Sequence, residues 1–358
     1  MQMDKTEKEL TLQKILNIFG STVTRTAIIK AEAEGTLPKA KRIGKVEKRV
    51  WIYDDLPVFG ERYGFLKKLD QPRVVTFFAT KGGIYKTTLA FNVARIAALH
   101  NIRTLVIGLD MQCDITGDLG YGADLSEDDS LEDALKKLGN VYGLEDFCQG
   151  RLKLDEIIEH SDIPTLDFIP ETPALTQLDR EIGGMDFREH WLNREVITPL
   201  KSKYDLIILD CSPNWNNLIT NALIASDLII SPLECKIKHF RNFPYFKVHI
   251  QNFLKKTNSG AKHFYVATKY VQTKKLSKDI KNWYLKNIPN CFATSIRDSA
   301  KAEEACADLL SFPEHVPTDI ISQEMREFVS EIWEQLRTDS AHKPRKAAAV
   351  LDSSEELR

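Results

Sequence analysis

Residues 81–88 read KGGIYKTT, a glycine pair closely preceded by one lysine and followed by a lysine and two threonines. Backbone N–H groups of a glycine turn can converge on an anion, a lysine adds a point charge, and a threonine hydroxyl can reach magnesium. The chemistry these residue types share is phosphate binding. A phosphate loop of the general form G-x-x-x-x-G-K-S/T also needs a strand before it and a helix after it. RVVTFFAT, residues 73–80, is a β-branched and aromatic run that predicts a buried strand. TLAFNVARIAALH, residues 88–100, predicts a helix buried on most sides. Lys81, Gly82, Gly83, Ile84, Tyr85, Lys86, Thr87 and Thr88 are therefore the candidate nucleotide-binding residues, with Lys86 at the β/γ-phosphates and Thr87 on Mg2+. The plainer alternative is a Gly-Gly turn with a coincidental Lys-Thr pair; the agreement of strand, turn and helix argues against it.

A second stretch, KYDLIILDCSP at residues 203–213, is an apolar strand ending in Asp210. A carboxylate at the carboxyl end of a buried parallel strand faces the crevice where α/β proteins bind ligands. Asp210 is thus a candidate magnesium residue, the alternative being an aspartate that caps the next turn. Between the two, RTLVIGLDMQCDITGDLG at residues 103–120 holds Asp110 after another apolar run.

Lys81, placed ahead of Gly82 and Gly83, resembles the deviant Walker A signature K-G-G-x-G-K-T-T of the ParA/MinD ATPases. In that family this lysine reaches across a nucleotide-sandwich dimer, which implies the same catalytic role for Lys81, comparable to an arginine finger given in trans. Residues 103–120 resemble the family strand with a D-x-D-P-Q core; Asp110 and Gln112 match, whereas Gly108 and Met111 stand at the earlier aspartate and the proline. The resemblance implies that Asp110 orients the attacking water and lies in the magnesium shell. Tyr85 replaces a glycine, a change the loop tolerates if φ stays below zero and the ring points outward. DFIPETPAL (167–175) and NALIASDLIISPLE (221–234) resemble further family segments, and TKYVQTKKLS (268–277) and TSIRDSAKAEEA (294–305) do so more weakly.

The elements before the loop suggest a second unit. TLQKILNIFG (11–20) and TRTAIIKAEAEGTLP (24–38) predict two helices around a turn, and KRIGKVEKRVWIY (41–53) predicts a two-stranded wing with Gly44 near its tip. Residues 10–58 resemble the winged helix-turn-helix of the larger ParA proteins and of MerR-like regulators. Docking of that kind would put Thr24, Arg25, Thr26 and Lys30 near the major groove and Lys41, Arg42, Lys45, Lys48 and Arg49 on phosphates. The alternative is a solvated basic loop on a dimerisation arm.

The resemblance covers most of residues 10–335 and implies an α/β fold, a doubly wound, mostly parallel sheet behind a small helical domain. Residues 1–66 would be the DNA-binding domain, 67–338 the ATPase with a linker near 64–72, and 339–358 a disordered tail. The implied ligands are ATP/ADP and Mg2+. The implied partners are a second copy in a homodimer, DNA both at an operator and non-specifically, and a ParB-like centromere-binding protein, with no membrane. A chain of this kind would segregate a plasmid or chromosome and repress its own operon. The alternative is a nucleotide-responsive DNA-binding transcriptional regulator with little ATP hydrolysis, which the departures at Tyr85 and Gly108 favour.

Composition sets limits. With 358 residues, 43% of them hydrophobic, the chain is long enough for a sizeable core and two domains. No apolar run approaches a membrane span and the start is not signal-like, so a cytoplasmic, DNA- or nucleoid-associated protein is expected. Six cysteines without C-x-x-C spacing argue against a zinc site, a disulfide framework or an electron-carrying cluster. The glutamates of SQEMREFVSEIWEQLR (322–337) argue against an anionic-lipid anchor. Net charge is only -2, so nucleic-acid binding has to come from local patches. The acidic stretches 125–139 and 151–160 are expected to be solvated helix faces.

Overall fold

The computed structural model describes residues 9–121, 130–132 and 141–337; most of the acidic stretch 125–139 and all of the tail 339–358 lie outside them. The chain opens with β1 (Leu10–Thr11), α1 (Leu12–Phe19), α2 (Arg25–Ala33), β2 (Lys41–Ile43) and β3 (Lys48–Trp51). Thr11 caps α1 by accepting the Lys14 N–H at 3.3 Å, and Gly20, at φ 61°, ends it. Thr24 does the same for α2 toward Ala27 at 3.4 Å. The three strands form an antiparallel sheet in the order β1-β3-β2, with Gly44 at φ 69° in the hairpin loop. Residues 9–51 are thus a small α/β unit.

α3 (Leu56–Tyr63) leads to β4 (Arg73–Phe77), α4 (Lys86–Leu99) and β5 (Thr104–Leu109). The remaining strands are β6 (Glu159–His160), β7 (Leu166–Ile169), β8 (Leu206–Cys211), β9 (Leu228–Glu234), β10 (Lys262–Tyr270) and β11 (Cys291–Arg297). They form one sheet in the order β11-β10-β9-β4-β8-β5-β7-β6, parallel throughout except for β6 against β7. β4, β5, β8 and β9 are buried at every residue and mostly apolar, as parallel strands covered on both faces are. Placing β4 between β8 and β9 brings the ends of β5, β8 and β9 around the loop that leaves β4.

One apolar core joins the N-terminal elements, α4 and the last helix, Ile320–Arg337. A Cβ on Gly60 of α3 would stand 1.9 Å from the Leu99 carbonyl oxygen, so only glycine allows this approach to α4. The segment 64–72 is also pinned. The Phe65 N–H donates to His100 Nε2 at 3.2 Å, and Trp333 Nε1 donates to the Lys67 carbonyl at 2.6 Å. Burial lowers the His100 pKa to about 4, keeping the ring neutral with Nε2 free to accept. The apolar face of the last helix, including Met325, Phe328, Ile332 and Trp333, lies inside this core. Among the described residues no helix is long and apolar enough to cross a membrane.

Candidate nucleotide site

β4 ends at Phe77, and the loop that follows turns into α4 at Lys86. Gly83 takes φ 69°, and an added Cβ at Gly82 or Gly83 would meet nothing within 4 Å, so the backbone there is open to a ligand. The loop is anchored from below: the Ile84 side chain is buried, and its carbonyl accepts from Thr268 Oγ1 at 3.2 Å. Thr88 sits in the first turn of α4, its carbonyl bonded to Asn92 Nδ2 at 2.8 Å. A helix N-terminus aimed at an open glycine turn is an anion site.

Lys86 is buried, and its ammonium donates to the Lys81 carbonyl at 3.0 Å. Burial lowers its pKa, opposed by Asp210 and Asp110 nearby. The Thr87 hydroxyl donates to Asp210 Oδ2 at 2.7 Å, while the buried Asp210 Oδ1 has no hydrogen-bond partner. A buried oxygen left over beside a threonine hydroxyl fits a hydrated magnesium ion. Burial pushes the Asp210 pKa up to about 7, against the pull of Thr87 and Lys86. Among the described residues no group of three or more His, Cys, Asp or Glu could hold a metal alone. Mg2+ keeps waters and takes phosphate oxygens in addition to few protein ligands.

Asp110 follows β5 directly, and its Oδ1 accepts the Gln112 N–H at 3.2 Å. Lys81, 40% exposed, is salt-bridged to the buried Glu234 at the end of β9 in its own chain. The other oxygen of Glu234 holds Lys236 at 2.7 Å. Neither Glu234 nor Glu171 was among the sequence candidates. Glu171 sits beyond the end of β7, 2% exposed, and its Oε1 accepts the Asp110 N–H at 3.0 Å. Burial first, then Asp210, raises its pKa well above the carboxylate range. Its only mark in the sequence is a glutamate after Pro170.

Tyr85 departs from expectation. Its φ is +74°, not negative, and its ring is buried, not turned outward. The turn into α4 imposes the left-handed geometry that the family glycine would adopt freely. Contacts of the ring offset the strain: Lys269 Nζ lies 4.5 Å from its centroid, and its hydroxyl donates to Asp298 Oδ1 at 3.5 Å. Tyr85→Gly is expected to keep nucleotide affinity within about tenfold, or 1.4 kcal/mol, in a calorimetric titration. Tyr85→Ala, which loses the ring without relieving φ, will be less stable than Tyr85→Gly by about 1 kcal/mol. Equal stability of the two variants would show that the backbone at 85 is not strained.

In the N-terminal unit Thr24, Arg25, Thr26 and Lys30 lie exposed along the first part of α2, with Lys30 loosely paired to Glu34 at 3.8 Å. Lys41, Arg42, Lys45 and Lys48 are exposed on the hairpin, Arg42 lying 4.0 Å from Glu47. Arg49 differs from expectation. Its side chain, 21% exposed, pairs with Glu32 of α2 at 3.5 Å. Strand alternation turns it onto α2 while Lys48 faces away, so it ties the hairpin down rather than standing free for phosphates.

The family model described as an AAA domain, AAA_31, matches residues 72–262, more than half of the chain. The chain belongs to this family. The match to the chromosome partitioning protein ParA of Myxococcus xanthus is 34% identical and covers 46% of this chain and 53% of that one. The chain thus spans about half the length of that curated ParA relative. In fold, the chain is similar to a putative plasmid partition protein of Borrelia burgdorferi B31 bound to AMPPNP, with TM-score 0.60, 20% identity and coverage of 74% and 100%. It is also similar to cobyrinic acid a,c-diamide synthase of Mycobacterium smegmatis with an ATP analog and magnesium, with TM-score 0.57, 21% identity and coverage of 73% and 94%.

Proposed function

We propose that the chain is a partition ATPase that hydrolyses ATP to ADP and phosphate with Mg2+ and segregates a plasmid or chromosome. It would act as an ATP-dependent homodimer in the cytoplasm, bound to DNA and stimulated by a ParB-like centromere-binding partner. One observation carries it: an open glycine turn at the head of α4, with buried Lys86 behind it and the Thr87–Asp210 pair offering an unused carboxylate oxygen. Lys86 and the loop N–H groups hold the β/γ-phosphates; Thr87 holds Mg2+, with Asp210 gripping its water shell. When bound, the ion neutralises charge on the phosphates. Asp110 orients the attacking water. Lys81 exchanges Glu234 for the partner's phosphates, so the dimer completes each site. The regulator alternative drew on Tyr85 and Gly108; ATP turnover in the presence of DNA and the ParB-like protein separates the two.

Charge placement supports two DNA surfaces. Residues 236–286 hold thirteen Lys and Arg against the single Asp279, in a chain whose net charge is only -2. Lys236, Lys238, Arg241, Lys274 and Lys275 are exposed there, and a cavity of about 350 Å3 beside Lys81 is lined by four further lysines, Lys236, Lys238, Lys269 and Lys274. This face suits non-specific phosphate contact. The exposed α2 residues and the hairpin suit an operator, with repression of the chain's own operon as the consequence. Deleting residues 1–66 would uncover the shared core, so the test uses substitutions in the full chain. Arg25→Ala with Lys30→Ala is expected to erase operator protection in a footprint while sparing ATP-dependent non-specific binding. Lys236→Glu with Arg241→Glu will do the reverse and lower the salt slope by about 1 per lost phosphate contact. An unchanged operator footprint in the first variant would sink the N-terminal assignment.

A further inference from the structure

We infer that Glu171 supplies, from beyond the end of the neighbouring strand, the hydrogen-bond acceptor that this chain lacks at position 108, and that it is the positioning residue for Asp110. The inference rests on the ATPase reading above. A Cβ built on Gly108 would stand 2.1 Å from Glu171 Cγ, 2.3 Å from Cδ and 2.5 Å from Oε1. The Glu171 carboxyl therefore fills the space a side chain at 108 would occupy. Its Oε1 accepts the Asp110 N–H at 3.0 Å. An aspartate at 108 could take that N–H by the short i to i+2 pattern, the same bond Asp110 makes to the Gln112 N–H at 3.2 Å. Glycine cannot, and the part-buried N–H would lose this acceptor without Glu171.

The attachment is rigid. Thr116 Oγ1 donates to Glu171 Oε2 at 3.3 Å and accepts the Glu171 N–H at 2.8 Å, so the segment from Asp110 to Thr116 is clamped to the end of β7 at two points. β7 and β5 pair in register from Thr104↔Leu166 to Ile107↔Ile169, which carries residue 171 alongside residues 108–110. Gly108 and Glu171 are then one device: a small residue on one strand makes room for a long carboxylate from the next. Glu171 acts through the backbone of Asp110 and through Thr116, not on the nucleotide.

The test is a four-way exchange in the full chain, read by Tm, by nucleotide affinity and by steady-state turnover. Gly108→Asp alone will collide with Glu171 and lower Tm by about 5 °C. Combined with Glu171→Ala it will recover Tm, because the two side chains compete for one space. Glu171→Ala alone will lower kcat about tenfold or more with nucleotide affinity unchanged within threefold, the scale of losing an outer-shell support. Adding Gly108→Asp to it will restore kcat, and Glu171→Gln, which keeps an acceptor for the Asp110 N–H, will retain it. Additive Tm losses in the double variant, or no rescue of kcat, would overturn the inference while leaving the ATPase reading untouched. No turnover in the unsubstituted chain would overturn that reading and the catalytic part of this one; the Tm cycle would still decide whether the side chains share a space.

Discussion

Asp110→Ala is expected to load onto non-specific DNA with ATP as the unsubstituted chain does and then fail to leave, because turnover falls by about 10²-fold or more when a water-orienting group is lost. Asp110 stands at the end of β5, beside Lys86 and the Thr87–Asp210 pair but bonded to neither threonine nor ammonium, so removing its carboxylate leaves the phosphate cradle intact. Lys81→Ala will fail at an earlier step. Its ammonium rests on Glu234 of its own chain; in the proposed cycle it reaches phosphates only across an assembled dimer, so its loss is expected to remove ATP-dependent dimerisation and hydrolysis while sparing ADP binding by the monomer. Wash-off from immobilised DNA under partner stimulation reads both: slow release for Asp110→Ala, scarcely any loading for Lys81→Ala. Equal release and equal turnover for Asp110→Ala and the unsubstituted chain would mean that Asp110 is only a strand-end aspartate.

The second large effect is on stability. Arg95, on α4 and fully buried, donates to Glu314 Oε2 and Oε1 at 2.8 Å each, to Asp162 Oδ1 at 2.7 Å and to the Tyr53 hydroxyl at 3.2 Å. It thereby joins α4 to the segment that follows the N-terminal unit, the turn before β7 and the segment before the last helix. Arg95→Met keeps much of the volume but leaves the Glu314 carboxylate buried beside an apolar side chain, and breaking a buried pair from one side costs about 3–5 kcal/mol. Arg103→Met removes the exposed pair with Asp205 and will cost less than about 1 kcal/mol. Denaturant unfolding of the full chain measures both. Similar losses for the two variants would show that the Arg95 network contributes no more than a surface ion pair.

The candidate nucleotide site was legible because its pattern is local. KGGIYKTT fixes backbone donors, Lys86 and Thr87 within one turn of chain, and the strand and helix flanking it follow from apolar runs of different period. Asp210 was legible for a related reason, since an aspartate ending four apolar residues marks the crevice edge of a buried strand. The mostly parallel sheet was implied by the family resemblance, and the alternation of strands and helices agrees with it.

What the sequence could not fix were the partners of charges far apart along the chain. Glu171 and Gly108 are sixty-three positions apart and come together only because β7 lies beside β5 in register. Glu234 meets Lys81 because β9 flanks β4. Arg49 reads as one more basic wing residue until strand alternation turns it onto Glu32. The sign of φ at Tyr85 is likewise set by the turn, and the ring contacts that tolerate it come from β10 and the loop after β11. By itself, then, the sequence determined the residue types of a candidate phosphate loop and the strand and helix that flank it. Strand order and side-chain direction, which are properties of the packed sheet, decided which carboxylate faces which cation.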